Sequence, residues 1–119
     1  MIPFANRFHG HNSLRYVYKN GQVVRSHFAT LKSIHNSHRS IPRIAVVVAK
    51  KVHKGAVGRN RIRRRIYECV RRQISRLDQN VDIAIIVSAS ELLAMPAGEL
   101  EAAVEDLFIQ AGLYKSPKG

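Results

Sequence analysis

The sequence predicts a single α+β domain, a small β-sheet packed with helices, and three observations carry that expectation. Two β-branched apolar runs of strand length, residues 44–49 and 83–87, are separated by a long cationic segment with helical periodicity. A second amphipathic stretch, residues 99–111, follows the last run. At 119 residues and 45% apolar content, spread from Phe4 to Tyr114, the chain has the size and composition of one domain around one core. This is not the signature of a disordered basic tail.

Taken in order, residues 12–20 read as a short helix. Asn12 or Ser13 can cap it, Leu14, Val17 and Tyr18 fall at i, i+3 and i+4, and Gly21 supplies a left-handed stop. Residues 26–34 alternate as a strand, with His27, Ala29 and Leu31 on one face and Phe28, Thr30, Lys32 and Ile34 on the other. Asn36 to Ser40 has loop chemistry, and the apolar run 44–49 is expected to pair with 26–34 as a hairpin with a polar tip.

A helix is predicted over 59–77. On its wheel Ile62, Ile66, Cys69, Val70, Gln73, Ile74 and Leu77 cluster within about 140°, while Arg61, Arg64, Arg71 and Arg72 lie opposite. Such a helix is roughly 28 Å long, enough to follow a nucleic-acid backbone over several phosphates. Asp78-Gln79-Asn80 ends it, and the strand 82–87 completes a βαβ pattern, which implies a parallel pair. In the closing helix Leu100, Ala103, Val104, Leu107 and Phe108 share a face, Gly112 stops it, and Pro96 limits any helix before it. The ordered core is expected over residues 7–114, with 115–119 a disordered tail.

The charge is one-sided. Twenty Lys and Arg face eight acids for a net charge of +12, eighteen of the cations fall at or before Arg76, and no acid precedes Glu68. Every cation that neutralises a phosphate releases counterions, so this asymmetry points to a nucleic acid. A membrane surface fits less well, since the chain has no Trp and no polybasic segment beside an exposed apolar helix. The single Cys69 excludes an internal disulfide, and the N-terminus lacks the apolar run of a signal peptide, so a cytoplasmic location is expected. His9-Gly10-His11 offers two potential ligands but no third stands at a recognisable spacing, so no metal on the protein is expected. Cys69 lacks a catalytic His-Asn context and reads as a small core residue.

Residues 49–68 say more. Lys50-Lys51-Val52 at the end of an apolar strand, then Ala56-Val57-Gly58-Arg59-Asn60-Arg61-Ile62-Arg63-Arg64 opening a basic helix, then Glu68, resembles the signature of the bacterial ribonuclease P protein component. Arg7-Phe8, the helix ending Asn20-Gly21, the strand opened by Asp82 and the helix from Glu99 to Gly112 are similar to the rest of that family's layout. The resemblance implies an α-β-β-β-α-β-α order with a left-handed βαβ crossover, the fold of the second domain of ribosomal protein S5. Unaided sequence logic would give the right-handed connection.

It further implies the protein subunit of a ribonucleoprotein endonuclease that hydrolyses the phosphodiester bond at the 5′ end of precursor tRNA, the RNA subunit carrying the catalysis. The partners implied are the catalytic RNA, one protein per RNA, and the 5′ leader of precursor tRNA. Magnesium would be the cofactor, held mainly by RNA phosphates and waters, as suits a hard cation. Lys50, Lys51, Lys54, Arg59, Asn60, Arg61, Arg63, Arg64 and Arg65 would contact the catalytic RNA, and arginine's planar fork suits phosphate. A cleft between the N-terminal helix and the open sheet face would hold the leader, with Arg15, Tyr18, His27 and Phe28 as contacts.

From the residues alone, Arg59 reads either as a phosphate contact or as a cap at the helix start, and Phe28 either as a leader contact or as core. Tyr16, Tyr67 and Tyr114 read as packing residues. The chain departs from the family pattern at Leu14, where Phe is usual, at Tyr67-Glu68, where Arg-Glu is usual, and at Ser88-Ala89-Ser90, which lacks an Arg. The competing reading, a non-catalytic ribosomal or RNA-chaperone protein, explains the charge but not the motif order. A DNA-binding helix would need helix-turn-helix or dimer signals that are missing.

Overall fold

The computed structural model describes residues 11–35, 41–78 and 80–115. The elements are α1 (His11–Asn20), β1 (Gln22–Arg25), β2 (Ala29–His35), β3 (Arg43–Val48), α2 (Ala56–Gln73), β4 (Val81–Val87) and α3 (Ala97–Ala111), with short 3₁₀ turns at Ile74–Arg76 and Ser90–Leu93. The class is the mixed α+β expected. The four strands lie in the order β1-β2-β4-β3, with β2 antiparallel to β4 and β3 parallel to it.

The expected hairpin between 26–34 and 44–49 does not form: β4 lies between β2 and β3. The hairpin is instead β1 with β2, register Val24↔Leu31. The parallel pair expected of the βαβ pattern does form: the two apolar runs, joined through the helix between them, lie side by side as β3 and β4.

Leu31, Ile44, Val46, Val48, Ile83, Ile85 and Val87 point to one face of the sheet and pack with Ile62, Ile66 and Val70 of α2 and Leu100, Val104 and Phe108 of α3. The other face carries Thr30, Lys32 and Ile34 in register with Ile86, Ala84 and Asp82. Here α1 covers the strands: Val17 and Ala84 are fully buried yet stand apart from the main core. At one end of this face Arg43 and Asp82, direct partners across β3 and β4, form a buried two-pronged ion pair at 2.9 and 2.8 Å.

Gly21 closes α1 by its N–H to Val17 at 2.9 Å, but without the left-handed conformation expected: among the described glycines only Gly112 has positive φ. Close approach is what demands glycine here, since a Cβ would meet the Val17 and Ser33 carbonyl oxygens at 2.7 and 2.9 Å. Gly112 does end α3 left-handed, at φ 68°. Beyond it Asp78 N–H donates to Leu113 and Lys115 N–H to Arg76, so residue 115, assigned to the tail, is tied to the body. The expected tail from Ser116 and the His9-Gly10 pair lie outside the described residues.

The basic helix begins a turn earlier than its wheel suggests, at Ala56, and tightens to 3₁₀ after Gln73. Leu77 is still buried, reached through the 3₁₀ turn.

Candidate nucleic-acid interface

The interface starts where β3 ends. Lys50, Lys51 and Lys54 are exposed in the loop between β3 and α2, and that loop is fixed by its own contacts. Val52 N–H donates to Ala49 at 3.0 Å, and Gly55 N–H donates to His53 Nδ1 at 3.1 Å. The His53 ring lies so close to Gly58 that a Cβ there would come within 2.2 Å of its Cε1. Arg59 Nη1 donates to the carbonyls of His53 at 3.0 Å and Lys54 at 2.8 Å. Of the two readings of Arg59, the structure supports the cap: its guanidinium braces the lysine loop.

Along α2 the arginines divide. Arg61 and Arg64 are exposed, and among the described residues no acid pairs with either. Arg63 donates to the Asn60 side chain. Asn60, Arg63, Arg64 and Tyr67 line a depression of about 270 Å³. Its floor is fixed, since Tyr67 Oη accepts the Val46 N–H at 3.0 Å, on the outer edge of β3.

Arg65 departs from its assignment. It donates to the carbonyls of Leu92 at 2.6 Å and Leu93 at 3.0 Å, and to Met95. It therefore ties α2 to the segment ahead of α3 and is no part of the open cationic face. The arginines further along are paired: Arg71 with Glu68 at 2.9 Å, Arg72 with Glu101 at 3.2 Å and Arg76 with Glu105 at 3.1 Å. The Arg71 hydrogen bond holds the exposed Glu68 carboxyl down to about 2. The cationic surface open to a polyanion is thus the first half of α2 with the lysine loop before it.

The residues expected around the α1 cleft are less united. Tyr18 is half-buried, with Lys32 Nζ donating to its carbonyl at 3.1 Å and lying 5.4 Å from its ring centroid. Burial pushes its phenol pKa up. His27 is exposed ahead of β2, with Nε2 3.6 Å from Glu91, a different stretch of the sheet from Lys32 and Tyr18. Arg15 lines a depression on the outer side of α1 with Tyr16, Lys19 and Asn20. Phe28 corrects the expectation outright: it is 6% exposed, within the main core. It precedes β2 in a turn where Ser26 N–H bonds to Ala29, so strand alternation does not govern its direction.

Sequence reasoning missed two residues. Lys32, which fixes Tyr18, lies on the sheet face that α1 covers, and only the register shows it. Tyr16, read as packing, is 58% exposed; its place about 160° from Leu14 and Tyr18 on the helix wheel was the available signal.

A family model described as Ribonuclease P matches residues 2–112. The chain belongs to the ribonuclease P protein family. It is 34% identical to the ribonuclease P protein component of a Pseudanabaena species over 88 residues, covering 74% of this chain and 76% of that one. It is 32% identical to the component from Symbiobacterium thermophilum over 111 residues, covering 93% and 95%. A solved mutant of the Staphylococcus aureus RNase P protein superposes with a TM-score of 0.83 at 24% identity, covering 92% of this chain and 91% of that one, a likeness of fold.

Within this family member four carboxylates are engaged by arginines: Asp82 by Arg43, Glu68 by Arg71, Glu101 by Arg72 and Glu105 by Arg76. Among the described residues no three His, Cys, Asp or Glu side chains gather as a metal site. Cys69 is buried on the packing face of α2, where burial pushes its thiol pKa up, the opposite of a nucleophile's need. No helix among the described residues is long and apolar enough to cross a membrane.

Proposed function

We propose that this chain is the protein subunit of ribonuclease P and promotes 5′ maturation of precursor tRNA by binding two RNAs. Lys50, Lys51, Lys54, Asn60, Arg61, Arg63 and Arg64 bind the catalytic RNA, with Arg59 bracing the loop and Arg65 bracing the helix. The cleft beside Tyr18 and Lys32 receives the single-stranded leader, where a base can stack on an aromatic ring with little sequence preference. The observation that carries this reading is the first half of α2, where Arg61 and Arg64 have no acid partner among the described residues, continuous with the lysine loop at the end of β3, in a chain of this family.

The hydrolysis belongs to the RNA partner. Asp82, Glu68, Glu101 and Glu105 are held by arginines, which leaves these four poorly suited to hold magnesium or to move a proton. Magnesium, bound by RNA phosphates and waters, would supply charge stabilisation at the cleaved phosphate. The protein's part is to position and to neutralise, one copy per RNA in the cytoplasm.

The test is reconstitution. Purified protein is mixed with its catalytic RNA and precursor tRNA at low magnesium, and 5′ cleavage and substrate affinity are measured. Both rise on this reading. No gain in either sinks it, and ribosomal RNA recovered with the purified protein would favour the ribosomal alternative.

A further inference from the structure

The outer face of α1 has no role in the function above. Val17 is fully buried and Leu14 and Tyr18 are partly so, and these three fall within about 100° of arc on the wheel. Arg15, Lys19, Tyr16 and Asn20 take up the rest and surround a depression of about 350 Å³. The Tyr16 ring is 58% exposed, and Asn20 Nδ2 donates to the Tyr16 carbonyl at 3.1 Å, bracing the last turn beneath it. No acid lies on α1.

An exposed aromatic ring flanked by two cations is not a packing arrangement. Nor does it suit a protein partner, which would look for a broader apolar patch than one tyrosine. A duplex would meet the cations but has no free base to place on the ring. An unpaired strand satisfies both, phosphates on Arg15 and Lys19 and a base on Tyr16. On the wheel, Arg15 and Lys19 lie between Tyr18 and Tyr16, so a cationic path runs round the helix from the cleft to the outer ring.

We propose that the outer face of α1, centred on Tyr16, is a second single-strand RNA contact that takes the upstream part of the precursor leader after it leaves the cleft. This rests on the leader-binding reading above. Leu14 stands where the family usually has Phe, and Tyr16 returns an aromatic contact to the same helix on its opposite side.

The experiment compares Tyr16→Ala and Tyr16→Phe in the protein–catalytic RNA complex, using precursor tRNA with a long or a short leader. Loss of one stack lowers affinity roughly 5- to 150-fold, the equivalent of about 1 to 3 kcal/mol. The expected result is that loss for Tyr16→Ala with the long leader, none with the short leader, and retained affinity for Tyr16→Phe. Equal loss with both leaders, no loss with either, or weakened binding of the catalytic RNA alone overturns the proposal. A labelled uridine oligonucleotide titrated into the protein by itself separates the two readings. If reconstitution gives no cleavage, the subunit reading fails, while weaker oligonucleotide binding by Tyr16→Ala still reports on the outer face. If Tyr16→Ala binds the oligonucleotide as the unsubstituted protein does, the outer face fails whatever reconstitution shows.

Discussion

The division of α2 into open and paired arginines makes a quantitative prediction about salt. Arg61 and Arg64 have no acid partner among the described residues, whereas Arg72 and Arg76 are held by Glu101 and Glu105. Each phosphate contact contributes about 0.7 to 0.9 to the slope of log K against log salt, so Arg61→Ala with Arg64→Ala should flatten the slope for catalytic-RNA binding by about 1.4 to 1.8. Across a fourfold rise in salt the double variant should then lose roughly sevenfold to twelvefold less affinity than the unsubstituted protein. Arg72→Ala with Arg76→Ala should change the slope by well under half as much, because those charges are already largely compensated. Its stability cost is also small, exposed ion pairs being worth about 0 to 1 kcal/mol each. The assay is fluorescence-detected titration of catalytic RNA at stepped salt concentrations, with circular dichroism confirming that both variants fold. Equal flattening by the two pairs, or greater flattening by Arg72 and Arg76, would refute the assignment of the interface to the first half of the helix.

Three further outcomes follow from packing and charge. Phe28→Ala should lower stability by about 3 to 5 kcal/mol in urea unfolding, as a buried core aromatic does, and should not discriminate leader-bearing substrate from mature tRNA; selective loss with the leader would return Phe28 to the cleft. Asp82→Ala should cost about 3 to 5 kcal/mol because it leaves the Arg43 guanidinium buried without its carboxylate, and a cost near zero would mean the pair opens to water. Tyr114 has its pKa pushed up to about 12, first by burial. The folded state therefore holds the phenolic proton longer than the unfolded chain, so this stabilisation is complete below about pH 10 and is lost as pH rises toward 12. Tyr114→Phe should make the unfolding midpoint less pH-dependent across that window, and an unchanged dependence would assign the alkaline loss to other groups.

Helix faces were the most legible part of this chain. Ile62, Ile66, Cys69, Val70 and Gln73 pack as their wheel indicates, because burial along a helix follows a period that sequence alone displays. Strand pairing was legible only in part: the βαβ pattern gave the parallel pairing of β3 with β4, but not the β1–β2 hairpin or the place of β4 in the sheet. The runs at 44–49 and 83–87 read clearly as strands, but nothing local says that β4 inserts between β2 and β3, since register and order are decided by what the connecting helix spans. The site shows the same contrast. Arg61 and Arg64 of the motif stand exposed, yet Arg65 sits in the same run and turns inward to the carbonyls of Leu92 and Leu93, a contact across 27 and 28 residues that no local pattern encodes. The leader reading of Phe28 failed for a smaller reason: strand alternation was extended three residues too far, into a turn.

The acids clarify why the charge is arranged as it is. Glu101 and Glu105 are four residues apart on α3 and meet Arg72 in the last turn of α2 and Arg76 in the 3₁₀ turn that follows it. This compensation lies at the C-terminal end of α2, where arginines also face the negative pole of the helix dipole. At the N-terminal end the opposite choice is made. The first turn holds no acid and no side chain caps it, although either would stabilise the isolated helix by a few tenths to about 1 kcal/mol. The positive pole is left beside Lys50, Lys51, Lys54, Arg61 and Arg64, with the loop held rigid by Arg59 and His53. On the proposed function an RNA phosphate supplies the negative charge that this end of α2 lacks, which makes it the docking edge.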